Sequence, residues 1–146
     1  MPLSWKDSLY QKPNQFKRHD SKGLPRICLI GIGNDLRGDD WAGLIVAREL
    51  SADERFNNVS NLLFLDGGPV PENHTGKLRL FQPELVLFVD AANLDEPPGA
   101  IQLIPLESID GMSASSHSLP LSMLASYIIF ELGCQVEVLG IQPAQN

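Results

Sequence analysis

Two aspartates in this chain directly follow short apolar runs, a position that often carries chemistry. Asp66 comes after residues 62–65 and Asp90 comes after residues 85–89. In open α/β sheets, ligands bind beyond the carboxyl ends of parallel strands. We therefore expect both carboxylates at one edge of a sheet, although either aspartate alone could equally be a turn-former that bonds its own backbone.

A third acidic group lies in the loop GIGNDLRGDDWAG, residues 31–43. This loop opens like a dinucleotide-binding loop, but Leu36 stands where the third glycine is required, and its aspartates would repel a pyrophosphate. Asp39 or Asp40 can cap a helix predicted to begin near Trp41, where a carboxylate offsets the helix dipole. One aspartate is enough for the cap, which leaves the other available as a ligand.

A histidine completes the set of candidate ligands. His117 lies in SSHSLPL, residues 115–121, a polar loop just before a predicted helix, whereas His74 and His19 have no comparable position. Two carboxylates and one imidazole suit a divalent transition metal, and three protein ligands leave coordination positions open. The alternative is that His117 is a surface residue without a role. No G-x-S-x-G elbow and no cysteine with an obvious base offers a nucleophile instead.

The elements that must position these residues alternate between strands and helices. Apolar runs predict strands, and helical patterns with caps predict helices; the strands are expected at residues 26–32, 62–65, 85–89, 100–104 and 135–141, and the helices at 41–50, about 77–81 and 118–132. Strands that are apolar on both faces predict a mostly parallel sheet. We expect a single α/β domain in which a twisted sheet of about five strands is flanked by helices on both faces.

Length and charge limit the function classes. The 146 residues are enough for one domain, which we place at residues 26–146 behind a polar extension at residues 1–25. The extension carries five basic and two acidic side chains, and the rest carries six basic and sixteen acidic side chains. Such an acidic body argues against nucleic acid and suits a cation or a basic peptide, or it serves only solubility.

Targeting signals and a disulfide framework are both missing from the sequence. No apolar run reaches the ~18 residues needed to span a bilayer, and the N-terminus does not resemble a signal peptide. The two cysteines, Cys28 and Cys134, are predicted to be buried thiols. We therefore expect a cytoplasmic protein without membrane insertion.

Five segments together resemble the hydrogenase maturation proteases. GIGNDLRGDDWAG, LDGGPVPENHTG, LVLFVDAAN, SSHSLPL and LGIQP follow one another in that family's order and spacing, from Arg26 to Pro143. The chain is most similar to the branch that serves formate-hydrogenlyase-type and related energy-converting hydrogenases. Family members usually continue past LGIQP into a final helix, whereas this chain stops at Asn146, so we expect that helix to be missing. Residues 1–25 lie outside the shared pattern.

The resemblance implies both a site and an activity. It implies a metal site at Asp40, Asp90 and His117, with Asp66 as a further catalytic candidate. Family members cut the C-terminal extension from a [NiFe]-hydrogenase large-subunit precursor after nickel insertion. The implied metal is nickel that arrives with the substrate, for which other divalent metals would substitute in a crystal. The implied partner is the precursor, and we expect the protease itself to be a monomer.

The mechanism and one rival function stay open at this point. A metal at the three ligands would polarise the scissile carbonyl or lower the pKa of a water molecule. Alternatively an aspartate, with Asp66 as the leading choice, acts as general base, as in an aspartyl-type peptidase. The rival function is a nickel-binding chaperone or checkpoint module that does not hydrolyse peptides; a nucleotide-binding domain is disfavoured by the acidic loop.

Overall fold

A computed structural model describes residues 23–33, 41–114 and 119–144. Five strands and four α-helices occur within these ranges: β1 (Ile27–Ile32), α1 (Ala42–Ala52), β2 (Leu62–Gly68), α2 (Thr75–Phe81), β3 (Leu85–Ala91), β4 (Ile101–Ile104), α3 (Ile109–Met112), α4 (Leu121–Leu132) and β5 (Gln135–Ile141). Short 3-10 helices lie at Glu54–Phe56, Pro71–His74 and Leu106–Ser108.

The strands form one sheet in the order β2-β1-β3-β5-β4. β1, β2, β3 and β5 run parallel to one another, and the short edge strand β4 runs antiparallel to β5. The predicted five-stranded, mostly parallel sheet is confirmed. Its carboxyl edge brings together the ends of β2, β1, β3 and β5.

Apolar side chains cover both faces of the sheet, with β3 at the centre. All seven residues of β3 are buried. One face packs against α2, α3 and α4 in the larger cluster, which includes Val86 and Phe88 of β3. On the other face, Leu87 and Val89 belong to a smaller cluster that contacts Val46 of α1. Helices therefore lie on both faces, as predicted, and successive β3 side chains alternate between them.

Two glycines bring α1 into backbone contact with the sheet. A Cβ added at Gly43 would lie 2.1 Å from the carbonyl oxygen of Val89 and 2.7 Å from that of Ile32, and one at Gly31 would lie 2.2 Å from the carbonyl oxygen of Gly43. No larger residue fits at either position. These contacts place the beginning of α1 against the carboxyl ends of β1 and β3.

The two cysteines are buried free thiols, as predicted. Burial, and then the nearby Cys134, raise the pKa of the Cys28 thiol, so Cys28 is unreactive at neutral pH. In the described part of the chain, no helix is both long enough and apolar enough to cross a membrane.

Candidate active site

Asp90 is the penultimate residue of the central strand β3 and is only 1% exposed. β3 continues through Ala91, so Asp90 lies inside the strand. The sequence pattern had instead placed Asp90 just beyond the end of the strand. The residue paired with it on β5 is Gly140, so no side chain from that position covers the carboxylate. Ser113 donates a hydrogen bond of 2.6 Å from its Oγ to Oδ2 of Asp90. A carboxylate so deeply buried depends on such partners for its stability.

Asp66 is in a different environment, on the edge strand β2. Its side chain is 41% exposed and accepts a 2.6 Å ion-paired hydrogen bond from Nε of Arg48 on α1. The pair lies beside a surface cavity of about 300 Å³ that is also lined by Phe64 and α1. β2 continues to Gly68. The prediction that the strand ends before Asp-Gly-Gly was therefore wrong.

The two aspartates lie at the same edge of the sheet, as predicted, but on opposite faces. The side chain of Leu65 points into the larger cluster. The next residue, Asp66, therefore points to the other face of the sheet, towards α1. Asp90 alternates with Val89, which packs towards α1, and therefore faces the other side. β1 separates β2 from β3, and two strand spacings amount to roughly 10 Å. The structure does not bring the two carboxylates together.

The other two predicted ligands, Asp40 and His117, lie outside the described residues. Among the described residues, no group of three His, Cys, Asp or Glu side chains could hold a metal ion. The predicted three-ligand site therefore stays a prediction. Of this site the structure describes Asp90, and its buried carboxylate is a ligand type that divalent metal ions accept in proteins.

Chain segments near Asp40 and His117 in sequence contact β3 beside Asp90. Gly43, three residues after Asp40, approaches the Val89 carbonyl. Ala114, three residues before His117, donates its backbone N–H to the Ala91 carbonyl at 2.8 Å. The segments that lead to Asp40 and His117 thus meet β3 on either side of Asp90 in sequence.

His74 has a neighbour that its sequence position did not indicate, since it lies close to Asp66. Burial, and then the charge of Lys77, lower the pKa of His74, while the carboxylate and the backbone of Asp66 act in the opposite direction. Its Nδ1 atom is buried and has no hydrogen-bond partner among the described residues. His74 therefore belongs to the surroundings of Asp66 and not to those of Asp90.

Comparison with known proteins gives one consistent family. The family model described as "HycI: Hydrogenase maturation protease" matches residues 45–146. A putative hydrogenase maturation protease of Methanocaldococcus jannaschii is 33% identical over 126 residues, which are 84% of this chain and 75% of that protein. The hydrogenase 3 maturation protease of Escherichia coli K12 is 34% identical over 116 residues, 79% of this chain and 71% of that protein.

Solved structures agree in fold as well as in sequence. The crystal structure of the [NiFe] hydrogenase maturation protease HycI from Thermococcus kodakarensis has a TM-score of 0.71 and 38% identity, and the match covers 84% of this chain and 76% of that one. The solution structure of the endopeptidase HycI from Escherichia coli has a TM-score of 0.67 and 33% identity, with 82% and 74% of the two chains covered. The α/β sheet with its glycine-seated helix and the buried aspartate of β3 thus occur in a chain that belongs to the hydrogenase maturation protease family of peptidases.

Proposed function

We propose that this peptidase removes the C-terminal extension of a [NiFe]-hydrogenase large-subunit precursor in the cytoplasm, after nickel has been inserted into that precursor. In this proposal Asp40, Asp90 and His117 recognise the nickel that the substrate carries. The names of the similar proteins support a role in hydrogenase maturation, and one similar structure is that of a [NiFe] hydrogenase maturation protease.

The observation that carries the proposal is the buried, hydrogen-bonded carboxylate of Asp90 at the carboxyl edge of the central strand. Asp40 and His117 are each three residues from a segment that contacts β3 next to Asp90. Three residues of extended chain span at most roughly 10 Å, which supports the proposal that both residues belong to one site with Asp90. Three such ligands leave coordination positions for the precursor's own ligands.

The chemistry divides between the two faces of the sheet edge. Substrate-borne nickel held by the three ligands would supply Lewis-acid polarisation of a carbonyl or a water molecule of lowered pKa. Asp66 is the leading candidate for the general base. Because Asp66 faces α1 while Asp90 is on the opposite face of the sheet, a peptide can meet both carboxylates only if it lies across the end of β1, between β2 and β3. We propose that the scissile segment takes this path.

Incubation of the purified chain with nickel-loaded and nickel-free precursor tests the proposal, with the products weighed by mass spectrometry. We expect one cut near the C-terminus of the nickel-loaded precursor only. His117→Ala should abolish the cut, whereas the matched variant His74→Ala should largely spare it, because His74 lies near Asp66 and outside the predicted ligand set. Circular dichroism and melting curves must first show that both variants are folded.

The other possible outcomes of this experiment would contradict different parts of the proposed function. Tight binding of nickel-loaded precursor without any cut would favour a non-hydrolytic checkpoint module. Equal processing of both precursors would contradict recognition through nickel. Isothermal titration supplies the matching affinity, which should be higher for the nickel-loaded form.

A further inference from the structure

Ser113 joins two parts of the candidate site that are far apart in sequence. Its hydroxyl donates to Oδ2 of Asp90 at 2.6 Å. Its backbone forms an antiparallel bridge with Ala92, just beyond β3. On either side of it, the Met112 carbonyl accepts from Asn93 N–H and the Ala114 N–H donates to the Ala91 carbonyl, each at 2.8 Å. Residues 112–114, which we call the strap, therefore pair with the end of β3 at the aspartate.

The short helix α3 fixes the position of the strap. The Ser113 N–H donates to the Ile109 carbonyl at 3.0 Å, and Ile109 is anchored in the larger cluster with 1% exposure. Next to it, Oδ1 of Asp110 accepts from the N–H of Ser122 in the first turn of α4 at 3.1 Å, and Oδ2 accepts from the Ser122 hydroxyl. α3 thus fixes the chain on both sides of residues 115–118, the segment that contains His117.

We propose that Ser113 is a positioning residue for the candidate nickel site: its hydroxyl orients the Asp90 carboxylate. The inference rests on the proposed function, since it concerns the site assigned there.

Two physical reasons favour this role over a purely structural one. The terminal torsion of an aspartate has a broad energy minimum, so the plane of the carboxylate is set mainly by its partners. Hydrogen bonds behind a metal ligand orient it, and their loss typically costs 10- to 100-fold in metal affinity or activity. Ser113 forms its bond to a carboxylate that is almost fully buried, where water cannot replace the donor.

The test compares Ser113→Ala with Ser113→Thr, which keeps the hydroxyl. Ser126→Ala is the matched control, because Ser126 is exposed and its hydroxyl donates to the Ser122 carbonyl within α4 at 3.0 Å. Two quantities are measured for each variant: the affinity for Ni²⁺ alone, from a titration followed by the NMR signals of the Asp90 and His117 side chains, and kcat for nickel-loaded precursor. If Ser113→Ala does not fold, Ser113→Val replaces it, because valine has nearly the shape of the threonine variant without its hydroxyl group.

We expect Ser113→Ala to lower the Ni²⁺ affinity and kcat by about 10-fold or more, Ser113→Thr to restore both, and Ser126→Ala to change neither. Wild-type values in Ser113→Ala, or equal losses in the alanine and threonine variants, would overturn the inference. So would a wild-type chain in which Ni²⁺ shifts the signals of neither Asp90 nor His117. A wild-type chain that cuts no precursor but shows the expected order of Ni²⁺ affinities would sink the proposed peptidase function and leave the role of Ser113 standing.

Discussion

The ends of β3 and β2 look alike in sequence and differ in the folded protein. Each has a run of apolar residues followed by an aspartate. Asp90 on β3 is 1% exposed and accepts from a serine hydroxyl. Asp66 on β2 is 41% exposed and accepts from a guanidinium that is itself 43% exposed.

The difference follows from the position of each strand in the sheet. β3 lies between β1 and β5, so its end is enclosed by neighbours on both sides, whereas β2 is an edge strand. A buried carboxylate loses its hydration and depends on internal donors. An exposed ion pair is hydrated, and it contributes only about 0–1 kcal/mol to folding. One local pattern therefore produces a shielded carboxylate in the centre of the sheet and a solvated carboxylate at its edge.

Among substitutions at the ends of β3 and β2, the largest effect should come from Asp90→Asn, which removes the charge and keeps the size of the side chain. We expect processing of the nickel-loaded precursor to fall by about 100-fold or more. Loss of a hydrogen bond that supports a metal ligand costs up to about 100-fold, and this substitution changes the predicted ligand itself. The rate of product formation, followed by mass spectrometry, measures this effect.

Asp95→Asn is the matched control for that substitution. Asp95 is exposed and has a φ of 55°, a conformation that asparagine adopts equally well. It should process precursor at the wild-type rate. Equal rates in Asp90→Asn and Asp95→Asn would mean that burial at the end of β3 has no functional meaning.

A second, smaller loss is expected from Asp66→Asn. If Asp66 is the general base, kcat should fall on the order of 100-fold, the lower end of the range for general-base catalysis. The free energy of unfolding should fall by about 1 kcal/mol or less, because the ion pair with Arg48 is half exposed. Urea unfolding and kcat, measured on the same preparation, give the two quantities.

Arg48→Gln separates catalysis from pairing at the same place. It removes the ion pair and keeps the carboxylate, so stability should change as in Asp66→Asn while processing stays near the wild-type rate. If Asp66→Asn and Arg48→Gln behave alike in both measurements, Asp66 is only the partner of Arg48 and the general base lies elsewhere.

Much of the fold follows from local pattern. The apolar runs located all five strands. The bounds of β5 agree with the prediction because Gly133, in the left-handed conformation, ends α4 shortly before β5 begins. The antiparallel direction of β4 had no local signal, since it depends on pairing with β5, which lies far along the chain. α4 begins at Leu121 and not at Ser118 as predicted; its first-turn amide bonds to Asp110, a cap supplied by another helix.

Part of the candidate site could also be predicted from local sequence pattern. The positions of Asp66 and Asp90 at one sheet edge follow from the runs that precede them. Their opposite faces do not, because the strands continue one to two residues past each aspartate, and alternation then decides the direction. Ser113 carries no sequence signal, since one serine after a four-residue helix has no periodicity, and its contact with Asp90 arises from tertiary pairing.

The smallest effect concerns the pH dependence of stability at the end of β2. Burial, and then the charge of Lys77, lower the pKa of His74, so the folded state favours its neutral form. The unfolded chain binds this proton with a pKa of about 6.5. Stability from His74 is therefore fully present above that pH and is lost as pH falls below it, because the unfolded state then binds more protons. The difference between wild-type and His74→Gln unfolding free energies, measured from pH 8 to 5 in about half-unit steps, isolates this contribution from the other histidines.

The same histidine reports on the environment of Asp66 directly. The Asp66 carboxylate raises the pKa of His74 against the two stronger opposing effects, so Asp66→Asn should lower that pKa further. An NMR titration of the His74 ring in both proteins measures the change, and Asp90→Asn serves as control, since Asp90 faces the other side of the sheet and should leave His74 unchanged. A His74 pKa at or above its ordinary value in the wild type would refute the buried, neutral form. A shift as large in Asp90→Asn as in Asp66→Asn would mean that the two ends of the sheet edge are electrostatically one site, and the contrast between β2 and β3 would be lost.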